Sequence, residues 1–403
     1  MTNLTLQALT EQVGASAFPE IFKTFFDEVM QDFDENGCIY TSPDYYEMLH
    51  EKYGVLESYL DLYKRAAVEI GRNENLSRML ALLCRALRDP DFRANGCKDF
   101  HWPPKENDIA YEMLPALAIA SELDIAYEIL KKSNLPEHII LDTLRLPEYG
   151  ISAFTTRHNN RPGYAFIDWY QLAIDGKLFE LGRLQYEIFC GWEGHASVFR
   201  NKNGEKIALA DNISLHRSGN ALGSKHFEDE EGSWHAEVLE NPDSWEGYPL
   251  DERGIVRNEI VSLSKSEWEK VLAPGDPVIS LHIPVTGKLD DGEIEKSLER
   301  ATIFFREYFP DYKYKAFVGY SWILDSQVTT LVHPESNIAK FNRRFMKVTE
   351  KCPGESVFNF VFLKPNMNFS IEELPENTSL ERAIKKHYQD GKAIYRLSGY
   401  FFR

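Results

Sequence analysis

A histidine at the end of an apolar segment is the residue of this sequence best suited to chemistry. His282 follows Val278, Ile279 and Leu281, a pattern that predicts a buried strand ending near the histidine. Imidazole titrates near neutral pH, so His282 could act as a general base. The alternative is a structural histidine hydrogen-bonded within the core, because buried polar groups normally have partners whatever their role.

A second apolar segment, residues 317–324, carries Ser321 and Trp322. The serine could offer its hydroxyl to a reaction or leave space for a ligand, or it could be a small residue packed under a helix. Further along, Ser336 and Asn337 precede a predicted helix. They could bind a phosphate at the helix start, or simply cap the helix.

Four histidines lie within forty residues of one another and suggest a metal site at first sight. Acidic residues at 229–231 lie among them, and metal ions are commonly bound by such side chains. None of the spacings matches a known pair of metal ligands, so no metal is predicted, and the acidic stretch is interpreted as a solvated loop. The four histidines are His195, His216, His226 and His235.

The segments that carry His282 and Ser321 are joined by a helix. Asp290 and Glu293 mark the start of this helix, and Pro310 marks its end. Two strands joined by a helix of this length most simply pair in parallel through a right-handed crossover. Ligands bind beyond the carboxyl ends of such strands, so we expect His282 and Ser321 at a binding edge.

The composition of the chain changes near residue 147. Apolar residues recur at helical spacing throughout residues 1–147, which predicts an all-helical N-terminal domain. Residues 148–403 contain strand patterns, with an irregular insertion at about 212–275 and a further strand at Val357–Leu363. The predicted fold class is α+β, with an all-helical N-terminal domain followed by a mixed β-sheet flanked by helices.

Charge and composition exclude several classes of function. The net charge of −18 argues against nucleic acid and against an anionic membrane surface as partners. No stretch approaches the ~18 apolar residues of a membrane span. Five widely spaced cysteines without a CxxC motif are interpreted as reduced thiols of a cytoplasmic protein. The signatures of P-loop ATPases, simple Rossmann enzymes, zincins and α/β-hydrolases are missing from the sequence.

The order of these elements resembles the GNAT acyltransferase fold. The chain is most similar to a bacterial family of N-acyltransferases that join an all-helical N-terminal domain to a GNAT-like C-terminal domain. The resemblance covers most of the chain. It implies transfer of an acyl group from acetyl-CoA or another acyl-CoA to an amine of a small molecule or peptide. The segments that carry it are LHIP (281–284), FFREYFPD (304–311), GYSWILD (319–325), SNIAKF (336–341), RSGNALGS (217–224) and EGYPLDERG (246–254).

The resemblance also implies roles for particular residues. An acyl thioester would lie between the strands that end near His282 and Ser321, the candidate catalytic residues, and His282 or a water it orders would take the proton of the amine. Cations at Lys288, Arg343 and Arg344 could hold a CoA phosphate. The full set of candidate CoA contacts is Thr286, Gly287, Lys288, Trp322, Asn337, Arg343 and Arg344.

One expected motif of the GNAT fold is missing. GNAT enzymes bind the CoA pyrophosphate with a Gln/Arg-x-x-Gly-x-Gly/Ala loop, which has no match at residues 284–289. Acidic residues at the following helix start would repel a pyrophosphate. The alternative function is therefore a non-catalytic GNAT-fold module that binds a peptide, sugar or small acid. Its candidate site residues are Trp192, Trp234, Trp245 and Tyr248.

Overall fold

The chain divides into two compact units in the computed structural model. The first unit comprises Met1–Leu181 and Pro284–Gly287, and the second comprises Gly182–Ile283 and Lys288–Arg403. Thr286, one of the candidate CoA contacts, lies outside the described residues. The residues that the structure describes are 4–93, 97, 100–103, 105–165, 167–284, 287–364 and 369–403.

The first unit is built from α-helices, which confirms the prediction of a helical N-terminal region. The boundary expected at residue 147 falls inside the ninth helix, and helical structure continues to Ile174. The described elements of this unit are α1 (Leu6–Gln12), α2 (Phe22–Asn36), α3 (Pro43–Tyr53), α4 (Leu60–Gly71), α5 (Glu74–Leu87), α6 (Ile109–Ala120), α7 (Leu123–Lys132), α8 (Glu137–Leu144), α9 (Leu146–Arg157), α10 (Ile167–Ile174) and strand β1 (Leu178–Glu180).

Helix α6 is the central helix of the first unit. The side chain of Asp108 caps its start by accepting the N–H groups of Ala110 and Tyr111 at 3.1 and 3.4 Å. Every residue from Ala110 to Ala120 is buried, including Glu112. A helix that is apolar on all sides must be surrounded by other helices, and α6 contacts α4, α5, α9 and α10.

The second unit combines a central sheet with smaller sheets, a long helix and several shorter helices. The predicted α+β class is therefore confirmed. Its strands are β2 (Gln185–Gly191), β3 (Ala196–Asn201), β4 (Lys206–Ala210), β5 (Ile213–Leu215), β6 (Trp234–Ala236), β7 (Leu239–Glu240), β8 (Ser244–Gly247), β9 (Val261–Ser264), β10 (Trp268–Leu272), β11 (Pro277–His282), β12 (Phe317–Ser321), β13 (Met346–Val348) and β14 (Leu397–Phe401). Its α-helices are α11 (Asp291–Tyr308), α12 (Val328–Leu331), α13 (Asn337–Arg343), α14 (Ser356–Val361) and α15 (Ser379–Gln389).

Strands of this unit lie side by side in the order β2-β11-β12-β14-β13. β11 and β12 are parallel and are joined by α11, as the sequence predicts. The other neighbouring pairs in this series are antiparallel. The two strands with the candidate catalytic residues are thus adjacent and run in the same direction.

Helix α11 covers one face of this sheet. The Asp290 carboxylate accepts the N–H of Glu293 at 3.1 Å, which fixes the helix start at the predicted position. The Phe305 ring contacts Tyr186 of β2, with ring centroids 6.1 Å apart. The hydroxyls of Tyr186 and Ser297 are 2.8 Å apart and satisfy each other in the buried interface.

The segment predicted as an irregular insertion contains short paired strands. β5 pairs with β6, and β7, β8 and β9 form a three-stranded sheet. Gly219 lies in one connecting turn with a φ of 85°, and the Val256 carbonyl leaves no room for a Cβ atom there. A side chain at this position would disturb the turn, which accounts for a glycine in the RSGNALGS segment.

The strand predicted at Val357–Leu363 is wrong, because residues Ser356–Val361 form helix α14. Val357, Phe358 and Phe362 are buried, whereas Phe360 is 56% exposed. This burial repeats with the period of a helix, which a short, nearly continuous apolar segment does not reveal in the sequence. The antiparallel partner of β12 is instead β14 near the end of the chain.

Asn342 of α13 is expected to stabilise the turn that follows β12. Its Nδ2 donates to the carbonyls of Ile323 and Asp325 at 2.6 and 3.1 Å, and the residue is 1% exposed. We predict that Asn342→Leu lowers the free energy of unfolding by about 1–3 kcal/mol, because both carbonyls lose a buried donor. Urea unfolding measures the change, and a loss below ~0.5 kcal/mol would contradict this role.

Candidate active site

The candidate site lies where β11 and β12 separate. The two strands are paired only at Ile279–Phe317 and Ser280–Val318. Beyond this point β11 stays paired with β2 as far as His282, and β12 stays paired with β14 as far as Ser321. The strand ends therefore diverge from each other while each keeps its outer partner.

The two predicted catalytic residues lie on opposite faces of the sheet. Side chains alternate along a strand, so His282 shares a face with Ser280 and with its partner Val318. Ser321 shares the other face with Phe317. Its hydroxyl accepts the N–H of Ile323 at 3.2 Å and thereby caps the short 3-10 helix Trp322–Leu324. The structure therefore brings Ser321 into a local turn and not together with His282.

A carboxylate lies next to His282. Nε2 of His282 is 3.0 Å from Oε2 of Glu187, which belongs to the neighbouring strand β2. The side chains are 26% and 23% exposed, so the pair is partly shielded from water and still accessible. A carboxylate that accepts a hydrogen bond from the Nε2–H group orients the ring and favours one tautomer. This pairing is the arrangement expected of a general base with an orienting partner.

Tyr320 shares the face of His282 and lies on the other side of the separation. Its hydroxyl accepts the backbone N–H of Glu193 at 3.1 Å, and its ring lies 6.1 Å from that of Trp192. Burial raises the pKa of the Tyr320 phenol. The phenol therefore stays protonated at neutral pH and can donate a hydrogen bond.

Glu350, just beyond β13, is a second carboxylate of this region. Its side chain is 11% exposed, and its Oε2 is 3.5 Å from the guanidinium of Arg396. Burial raises the pKa of Glu350, while Ser398, Arg396 and His195 favour its ionised form. Tyr320 lies close enough to be affected by the charge of Glu350. Glu350 is thus a buried titratable group next to the candidate site.

The pH dependence of stability tests this view of Glu350. A carboxyl group whose folded-state pKa is raised stabilises the fold below its unfolded pKa and loses that contribution as pH rises through the folded pKa. We therefore predict that Glu350→Gln becomes more stable relative to the unchanged protein as pH rises above the ordinary glutamate range. Chemical unfolding at pH 4, 6 and 8 measures this, and a constant difference in free energy would contradict it.

Several of the other predicted CoA contacts lie in the second unit. Lys288 and Arg343 are exposed. Trp322 is buried, and Asn337 is the first residue of α13, which Ser336 caps. Asn337 therefore lies at a helix start, as the sequence predicts, whereas Trp322 belongs to the 3-10 helix that follows β12.

Gly287 belongs to the first compact unit, where its φ of 79° requires a glycine. Arg344 pairs with Asp291 and Glu295 of α11. Glu295 also pairs with Arg403 at 3.0 Å. The acidic residues in the first two turns of α11 are thus partly neutralised by arginines of the same unit.

The remaining predicted features are also placed by the structure. Trp192 is buried in the core, Trp245 packs on Phe199 and Trp234 packs on Tyr248. In the described part of the chain, no three side chains of the metal-binding types come together. Within the same residues, no helix combines the length and apolar character needed to cross a membrane.

Sequence reasoning missed Glu187, Tyr320 and Glu350. Glu187 is the polar residue in the strand segment YEIF, and Tyr320 belongs to the apolar segment that was already assigned to β12. A polar group within an otherwise apolar strand was thus the signal by which Glu187 and Tyr320 could have been found. What the sequence does not contain is the pairing of β2 with β11, which brings Glu187 to His282 across 95 positions of the chain.

The family to which this chain belongs is defined by its C-terminal domain. The family described as GNAT-like C-terminal domain matches residues 178–401, which is more than half of the chain. The chain is therefore a member of this family, and the resemblance inferred from its sequence is confirmed. A comparison with curated proteins gave no match.

Solved acyltransferase structures share the fold over nearly the whole chain. An acyltransferase in complex with decanoyl-CoA is 19% identical, with a TM-score of 0.60 and 99% of both chains covered. An acyltransferase in complex with decanoyl-CoA and teicoplanin is 17% identical, with a TM-score of 0.61 and 98% of both chains covered. An acyltransferase mutant with octanoyl-CoA is also 17% identical, with a TM-score of 0.62 and 98% of both chains covered. At such identities the likeness establishes the fold.

Proposed function

We propose that this protein transfers an acyl group from acyl-CoA to an amine. The observation that carries the proposal is the separation of β11 from β12, with the His282–Glu187 pair on one side and Tyr320 on the other. An acyl thioester placed in this separation would have a base and a hydrogen-bond donor on the same face of the sheet. The similar acyltransferases crystallised with acyl-CoA support the same choice of donor.

The proposed reaction needs one general base and one hydrogen-bond donor. The neutral amine attacks the thioester carbonyl carbon, the new C–N bond forms, and the C–S bond then breaks. His282 takes the proton that the amine nitrogen loses, and Glu187 stabilises the imidazolium that results. The Tyr320 hydroxyl donates a hydrogen bond to the departing thiolate, and His282 gives its proton to that thiolate, which leaves as the CoA thiol.

We propose Lys288 and Arg343 as the contacts of the CoA phosphates, because both are exposed cations. Trp322 and Asn337 remain candidate contacts of the rest of the molecule, and we propose no CoA contact for Gly287, which belongs to the first unit. Arg344 would have to leave Asp291 and Glu295 to reach a phosphate, so we propose that it supports α11 instead. Ser321 is proposed as a turn-stabilising residue and not as a nucleophile.

The acceptor is proposed to be an amine on a small molecule or peptide. One of the similar acyltransferases was crystallised with teicoplanin, and another with 10C-Teicoplanin. The non-catalytic alternative has less support, because the aromatic side chains proposed for its binding surface pack within the unit instead.

Thermal unfolding in the presence of ligands tests whether acyl-CoA is the acyl donor. We expect decanoyl-, octanoyl- or acetyl-CoA to raise the unfolding midpoint, since a ligand at a hundred times its dissociation constant stabilises by about 2.7 kcal/mol. The double variant Lys288→Ala with Arg343→Ala should lose most of the shift. Lys296→Ala is the matched control, because Lys296 pairs with Glu293 of its own helix. No shift with any of the three at millimolar concentration would overturn the proposal.

A further inference from the structure

The helical unit contains a cavity that the proposed acyl transfer does not use. Its volume is about 290 Å³, near the lower end of the range for small-molecule sites. The wall is formed by residues from α6, α9, α10, the segment before α6 and the segment between α9 and α10. Its lining includes the aromatic and acidic residues Phe100, Trp102, Glu112, Phe154, Tyr164 and Asp168.

Glu112 is the unusual residue of this wall. It lies within the apolar helix α6 and is 6% exposed. Neither carboxylate oxygen makes a side-chain hydrogen bond of normal geometry with the described residues. Burying a carboxylate without such bonds costs folding free energy. A leucine or alanine at this position of α6 would be buried without that cost.

Arg161 only partly balances this carboxylate. Its Nε is 3.0 Å from Oε1 of Glu112, but the contact lacks the angles of a hydrogen bond. The same guanidinium also pairs with the exposed Glu106 at 3.0 Å. Burial raises the pKa of Glu112, although Arg161, His158 and the Asn107 amide favour its ionised form. The charge of Arg161 is shared between Glu106 and Glu112, so it balances the negative charge of Glu112 only in part.

The rest of the wall favours a cation over other ligands. Asp168 adds a second carboxylate among the described residues of the lining. The rings of Phe100, Trp102, Phe154 and Tyr164 line the same space, and the faces of aromatic rings attract cations. The Arg161 guanidinium already lies over the Phe154 ring, 5.9 Å from its centroid. An anion would be repelled by the carboxylates, and an aliphatic chain would offer no hydrogen-bond donor to Glu112.

We propose that this cavity binds a small organic cation that carries an ammonium group. The ammonium N–H groups would donate to the oxygens of Glu112, and the carbon skeleton would pack between the aromatic rings. The proposal does not depend on acyl transfer, because binding is expected in the absence of any acyl donor. Failure of the transferase reaction would leave it standing.

Isothermal titration calorimetry of the full chain with 2-phenylethylammonium tests the site. We expect binding of this cation, and at least about tenfold weaker binding of 2-phenylethanol, because the alcohol has a similar shape but no charge. The anion 3-phenylpropionate should not bind. No heat with the cation at millimolar concentration, or equal binding of the alcohol, would overturn the proposal.

Matched variants assign the binding to Glu112. Glu112→Gln should weaken binding of 2-phenylethylammonium about tenfold or more, whereas Glu106→Gln, which removes a charge from the same arginine outside the cavity, should change it less than about twofold. If Glu112→Gln does not fold, Ile167→Trp serves instead, since Ile167 lines the cavity and a larger side chain would fill it. Unchanged affinity in the folded variant that is tested would contradict the site.

Discussion

Replacing His282 by alanine is expected to lower the rate of acyl transfer by about 10²–10⁴-fold, because the general base is lost. Binding of acyl-CoA should change little, since the imidazole contacts the amine proton and not the CoA phosphates. The measurement is amine-dependent release of the CoA thiol at saturating acyl-CoA. Exogenous imidazole should restore part of the rate, which a purely structural histidine would not allow.

Glu187 provides the matched comparison for this experiment. It touches Nε2 of His282 and acts through it, so Glu187→Gln is expected to reduce the rate less than loss of His282 itself. Ser321→Ala should change the rate little, because its hydroxyl caps a turn on the opposite face. A His282→Ala protein that keeps its rate within about twofold would identify the histidine as structural.

Replacing Trp192 by alanine is expected to lower the free energy of unfolding by about 3–5 kcal/mol. The side chain is 1% exposed, and its Nε1 donates to the carbonyl of Ala196 at 2.9 Å. The ring lies against Gly194 with no room for a Cβ atom between them, and it also contacts Tyr400. Urea unfolding measures the loss, and a value below ~1 kcal/mol would contradict this packing.

Trp192→Ala should also lower the rate of acyl transfer, whereas a substitution elsewhere in the core should lower only the stability. Trp192 packs beside Tyr320 and precedes Glu193, whose N–H donates to the Tyr320 hydroxyl. Phe305→Ala is the control, because Phe305 is equally buried but belongs to α11, which packs on the opposite face of the sheet. We expect similar losses of stability but a lower rate only for Trp192→Ala. Equal rates in the two folded variants would show that Tyr320 is not positioned by this tryptophan.

The strand–helix–strand unit around His282 could be predicted because its signals are local. Asp290 caps α11 as its position before Glu293 indicates, and the apolar segments on either side form β11 and β12. These local signals are enough to predict a parallel pair, and they place His282 at a strand end. The resemblance to the GNAT fold then follows from the order of elements.

The composition of the site could not be predicted because it depends on pairing between distant strands. Glu187 reaches His282 only because β2 lies beside β11, and the register of that pair includes a bulge between Val278 and Ser280. Whether Ser321 or Tyr320 shares the face of His282 depends on the register of β11 with β12. A shift of one residue would exchange them, and no sequence pattern within either strand fixes that shift.

Transfer of the acyl group from acyl-CoA to an amine is tested most directly by identifying both products. The full chain is incubated with decanoyl-CoA and a set of primary amines, and free CoA and acylated amine are measured by mass spectrometry. We predict equal amounts of the two products, with both lost in His282→Ala. If decanoyl-CoA binds but none of the amines in the set causes release of CoA, the proposed acyl transfer is wrong.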